Sequence, residues 1–188
     1  MLALMDDVKA GEGYIPGTDM PRFIRELMEF VSLDDDDIAV IRHTAPAVLA
    51  HGEAFTQALY DHFLKFEATA RFFLGDDGRP DSAKLERRRH SLARWLRETA
   101  EVATTQEFSY YLLAVGLSHS HRADGRGGAV PPHFMVGAMS LAQTALARLF
   151  GEVLGDAGAA LEASQAWNKL LLVHLSVLLL GYVPPARA

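Results

Sequence analysis

Apolar residues recur three and four positions apart from about residue 23 to residue 182, and nowhere does an apolar–polar alternation persist. A helix turns once in about 3.6 residues whereas a strand alternates with a period of two, so this spacing predicts an all-α chain. At 188 residues the chain has the size of one domain with a full core, and no repeat, low-complexity tract or long linker divides it. We therefore read residues 1–188 as a single domain, with 1–20 as an N-terminal loop extension.

Punctuation along the chain places the helices. After a loop over Gly11–Pro21, Phe23, Ile24, Leu27, Met28 and Val31 form one apolar stripe. Ser32 with Asp34 to Asp37 reads as a helix start, because carboxylates cap free amides and complement the positive end of the helix dipole. Pro46 fits a first helical position, with Leu49, Phe55, Leu59, Phe63 and Phe66 following on one long helix. A turn over Arg71–Phe73 and a loop over Gly75–Pro80 come next, and Asp81 or Ser82 can cap the helix that runs to about Val102. Thr104 or Thr105 opens a helix ending before Ala123–Gly128. Pro131 and Pro132 open another, and Gly155–Gly158 separates it from a last helix over Leu161–Tyr182.

Several function classes drop out on composition. A net charge of −6 leaves no basic field for a polyanion, so nucleic acid is not expected as a partner. Without Cys there is no disulfide framework, thiolate metal site or iron–sulfur cluster, and His, Asp and Glu are the available ligands. Asp6 interrupts the N-terminus before a signal-like apolar region can build. The apolar run Leu170–Val183, interrupted by His174 and Ser176, is shorter than the roughly 20 residues that span a bilayer. It reads as a buried core helix, and a cytoplasmic location without membrane contact is expected.

Eight histidines make imidazole chemistry the first place to look. His43, His51, His62 and His90 lie among polar residues and read as solvated. His133 can cap or line a helix start, and His174 reads as a core histidine bonded to a backbone carbonyl. His119 and His121 are two apart, so on a helix their rings diverge by about 200° and cannot share a metal. His119 follows Leu112 by seven and Val115 by four, which puts it on the apolar face. An inward imidazole near a helix end can be an axial haem ligand, although from spacing alone a packed core residue is by far the commoner case. No nucleophile elbow, zinc-protease helix, P-loop or calcium loop is present, and Gly125–Gly128 follows a helix rather than a strand.

The stretch Val115-Gly-Leu-Ser-His-Ser-His-Arg122, followed by a Gly-containing loop and Val130-Pro131, resembles the proximal-histidine segment of the protoglobins, single-domain relatives of the globin-coupled sensors. Further stretches agree in order. They are Gly13-Tyr-Ile-Pro-Gly17, Leu59-Tyr60 through Arg71-Phe72-Phe73, Asp77-Gly78 with Pro80, and Gln165-Ala-Trp167. Together the resemblance covers about residues 13–182.

The resemblance implies a globin fold, a helical sandwich with an extra N-terminal helix, holding b-type haem (iron protoporphyrin IX) on His119. Tyr60 matches the distal tyrosine, whose phenol can donate a hydrogen bond to bound dioxygen more usefully than to carbon monoxide. Phe73 matches the aromatic that packs on the macrocycle. Leu59 stands where a tryptophan is typical and Leu92 where a phenylalanine is, which predicts a roomier distal side. Trp95 is expected to wall the pocket. Val115, and Phe134, Met135, Ala138 and Met139 on the following helix, complete the expected haem contacts. Arg87, Arg88, Arg89 and Arg122 are candidates for the propionates, or a solvated basic face.

The leading expectation is reversible binding of dioxygen, carbon monoxide or nitric oxide. Alternatives are a gas sensor acting through a partner protein, since no output domain precedes Ala188, a haem enzyme of peroxidase, nitric-oxide-dioxygenating or group-transfer type, and a haem-free interaction module. The resemblance, with apolar residues all round the helix at Leu170–Val173, Leu175 and Val177–Leu180, also leads us to expect a homodimer through the last two helices. The alternative cover is the segment Met1–Pro21. On the dimer reading, Leu178→Glu or Leu179→Glu dissociates the pair with haem retained.

Overall fold

The computed structural model describes residues 19–101, 105–121 and 128–183. These form eight helices: α1 (Met20–Phe30), α2 (Asp35–Ala50), α3 (Gly52–Leu64), α4 (Glu67–Ala70), α5 (Ser82–Ala100), α6 (Gln106–Ser120), α7 (Pro132–Val153) and α8 (Ala157–Leu180). Among the described residues the only extended pairing is the Leu74–Pro80 bridge that closes the 75–79 turn. The Gly13–Gly17 motif, Val102, Thr104, Arg122 and residues 125–127 lie outside the described residues.

Side-chain caps set most of the starts. Asp19, Asp34, Asp81, Thr105 and Asp156 each accept a hydrogen bond from an amide in the first turn of α1, α2, α5, α6 and α8, so Asp81 caps α5 and Thr105 caps α6. At α2 the cap is reciprocal, with Asp34 accepting from the Asp37 amide and Asp37 from the Asp34 amide. Asp37 also takes Lys169 of α8 at 2.6 Å, and the same ammonium donates to the Ser32 carbonyl at 2.8 Å.

Pro46 does not start a helix. It lies inside α2, which runs on to Ala50, and the long helix expected from Pro46 is two helices joined at His51. Burial explains the override: Ile41, Thr44, Ala45 and Val48 form the inward face of α2, and this packing outweighs the hydrogen bond a mid-helix proline forfeits. The register shifts with it, leaving Leu49 41% and Phe66 53% exposed.

Helix α8 is the central element, in contact with α1, α2, α6 and α7. Leu170, Leu171, Val173, Leu175, Val177 and Leu178 are all buried, so the all-round apolar surface is largely covered within one chain. Its indole Trp167 donates to Thr44 Oγ1 at 2.8 Å and packs on Phe150. Both α7 and α8 are long and apolar enough to cross a membrane by length and composition, so shortness does not exclude a span. The apolar stretch of α8 is 56% buried among its neighbours, that of α7 22%.

Candidate functional site

One cavity of about 660 Å³ opens between α3, the 66–73 segment, α5, α6 and α7, within the size range of small-molecule and cofactor pockets. Every residue singled out for the site lines it: Leu59, Tyr60 and Phe73 from one side, Leu92 and Trp95 from α5, and Val115 and His119 from α6, with Phe134, Met135, Ala138 and Met139 from α7. Residues as far apart in sequence as Leu59 and Leu178 thus share one space. Phe63, Phe72, Tyr111 and Leu178 also line it and were not foreseen. Phe63 and Phe72 were legible as helical aromatics, whereas Tyr111 and Leu178 carry no local signal.

His119 sits on the last turn of α6. Its Nδ1 lies 2.7 Å from the Val115 carbonyl oxygen, which can only accept, so Nδ1 carries the proton. The lone pair then resides on Nε2, the tautomer in which imidazole binds a metal. His121, by contrast, is the exposed C-cap of the same helix, with Nδ1 2.6 Å from Ser120 Oγ.

On the α3 side Tyr60 is 7% exposed and held in an aromatic cage, edge-on to Phe63 and to Phe73 at 5.8 and 5.4 Å between ring centres. Phe63 and Phe73 stack on each other. This leaves the phenol ring little rotational freedom.

The lining also carries polar side chains: His62 of α3, Thr69 of the 66–73 segment, Arg88 and Ser91 of α5, Ser118 of α6 and Ser140 of α7. Of the three consecutive arginines only Arg88 lines the cavity, while Arg89 faces Glu86 at 4.0 Å and Arg87 is exposed. His62 is half-buried against Phe66 rather than simply solvated. Burial raises the pKa of Tyr111, and the Arg94 guanidinium lies 4.5 Å over its ring.

His174 lies behind this wall, between Trp95 and Phe108. Its polar neighbour is the Thr99 hydroxyl, at a long 3.5 Å, and not a backbone carbonyl. Thr99 itself donates to the Trp95 carbonyl at 2.7 Å, so the imidazole can only donate to it. Burial lowers the His174 pKa to about 3 and keeps the ring neutral. His133 is exposed at the start of α7, its ring tilted against that of Phe134 with centres 4.4 Å apart.

The protoglobin family profile matches residues 21–187. The chain belongs to the protoglobin family. In fold this protoglobin is similar to the globin domain of a Geobacter sulfurreducens globin-coupled sensor, with a TM-score of 0.71 at 16% identity over 84% of this chain and 96% of that one. It is also similar to the globin domain of E. coli DosC in a ferric crystal form, with a TM-score of 0.64 at 11% identity over 84% and 97%. No curated protein is significantly similar in sequence. Membership implies haem-based gas binding. The protoglobin's cavity suits such a group. Among the described residues no cluster of three or more His, Cys, Asp or Glu could hold a bare ion, and a mainly apolar space lined by two imidazoles, His62 and His119, suits a metal most of whose ligands come from a macrocycle.

Proposed function

We propose that this chain binds b-type haem in the α3–α7 cavity through His119 and takes up dioxygen, carbon monoxide or nitric oxide on the Tyr60 side, as a cytoplasmic protein. The haem supplies an iron centre that binds diatomic gases. The reading rests above all on the bond from His119 Nδ1 to the Val115 carbonyl, which presets the ligating tautomer of an imidazole lining a large apolar cavity.

Each wall has a task in this reading. Val115 orients the imidazole. Phe73, Phe134, Met135, Ala138 and Met139 exclude water from the macrocycle, and Arg88, a cation of the cavity lining, would meet a propionate. Tyr60, caged by Phe63 and Phe73, offers a phenolic donor to dioxygen, which gains from a hydrogen bond where carbon monoxide gains little. Leu59 and Leu92 leave space beside it.

Absorption spectra of the purified protein, oxidised, reduced and with carbon monoxide, test the reading. A Soret band that moves on reduction and again with carbon monoxide is expected. His119→Ala should abolish stable haem retention or change the spectrum, and His121→Ala should leave it nearly intact. An unchanged His119→Ala spectrum rejects the ligand assignment.

The likeness to globin domains of bacterial sensors favours a second reading, a gas-sensing module acting through a partner protein. Gas-dependent association with a signalling enzyme separates it from simple gas carriage. In either case we propose a homodimer through α7 and α8, where Val153, Leu161 and Leu172 remain 41%, 59% and 40% exposed.

A further inference from the structure

Helices α6 and α8 meet backbone to backbone, without the side-chain layer that ordinarily holds helix axes 8–10 Å apart. A Cβ on Gly116 would collide with the carbonyl oxygen of Leu178, and one on Gly181 with the carbonyl carbon of Gly116. Gly181 has φ −62°, an ordinary helical value, and Gly116 lies within α6, so what the site needs from these residues is the missing side chain. One turn past Gly116, Ser120 Oγ donates to the Gly181 carbonyl at 2.5 Å and lies 2.6 Å from His121 Nδ1. Between these two fixtures sits His119, tied by Nδ1 to the carbonyl of Val115, the residue adjacent to Gly116. Leu178, whose carbonyl meets Gly116, itself lines the cavity.

We propose that Gly116, Ser120 and Gly181 are positioning residues that seat the proximal imidazole of His119 on the last turn of α8. The inference rests on the haem reading above. Val115, Gly116 and His119 move as one unit, so any change in the α6–α8 spacing changes where the imidazole meets the macrocycle.

The test is resonance Raman spectroscopy of the full-length ferrous protein reconstituted with haem, reading the iron–histidine stretching band. Haem loss to an excess of apomyoglobin is measured in parallel. Ser120→Ala should shift the band and speed haem loss about fivefold, and Ser120→Thr should restore both. Gly116→Ala should shift the band further in the same direction, and if that variant does not fold the Ser120 pair decides. Gly151→Ala, a helical glycine with open space around it, should leave the band in place. A folded Ser120→Ala protein with the wild-type band overturns the proposal, because a merely structural serine would lower stability without moving it. A wild-type chain that takes up no haem overturns the haem reading and this inference together, whereas a normal Soret band with an unmoved stretch overturns this inference alone.

Discussion

Two side chains carry residue-scale consequences that can be measured. His174, at 3% exposure among Trp95, Thr99 and Phe108, has its pKa lowered from 6.5 to about 3 by desolvation. The unfolded chain therefore takes up a proton below about pH 6.5 that the folded chain refuses, and stability falls as pH drops from there towards 3. His174→Leu should flatten the stability–pH slope between pH 6 and 4 by up to about 1.4 kcal/mol per pH unit, read by urea unfolding. Identical slopes in both proteins would mean that the buried ring is not held neutral. On the proposed function, Tyr60 acts on the ligand. A hydrogen bond from its phenol is worth about 1–3 kcal/mol in a desolvated pocket, so Tyr60→Phe should speed dioxygen release about five- to a hundredfold while changing carbon monoxide much less. Equal effects on both gases in flash photolysis and stopped flow would assign Tyr60 a purely steric role.

At the scale of the element, helix starts are controlled by single carboxylates. Asp156 accepts from the Ala159 amide at 2.7 Å at the head of α8, the helix on which the core is built. Asp156→Ala should lower global stability by about 1 kcal/mol in thermal or chemical unfolding, with the spectrum of bound haem unchanged. A loss of only a few tenths would show that water caps α8 equally well. Such caps are short-range chemistry, and this is why the residues alone narrow the starts to Ser32–Asp37, to Asp81 or Ser82 and to Thr104 or Thr105, among which the structure selects Asp34, Asp81 and Thr105. Pro46 could not, because its local preference for a helix start is overruled by the burial of Ile41, Ala45 and Val48 against other helices. The site divides along the same line. Tyr60, Phe73 and His119 stand in motif-like segments, and their positions in a common cavity follow the order of those segments. Gly116 and Gly181 look like ordinary weak helix residues until the 61-residue-distant contact of Ser120 with Gly181 is seen.

For the whole molecule, α8's packing revises the route to a dimer. Leu178 is 6% exposed and lines the cavity, so Leu178→Glu would damage the fold and the site together and cannot isolate an interface. Leu161 and Leu172 occupy the exposed face of α8, and light scattering should show Leu161→Glu with Leu172→Glu reducing a dimer to a 20.6 kDa particle with haem retained. A wild-type chain already monomeric across micromolar concentrations rejects the dimer. The seating of α6 on α8 has a further consequence, in the order of synthesis. A ribosome delivers α3, α5 and α6 well before residues 178–181, so the emerging chain carries Tyr60 and His119 while the surface that seats His119 does not yet exist. On the proposed seating, cofactor capture through His119 would accordingly be a late event, open only once the end of α8 has left the exit tunnel and docked.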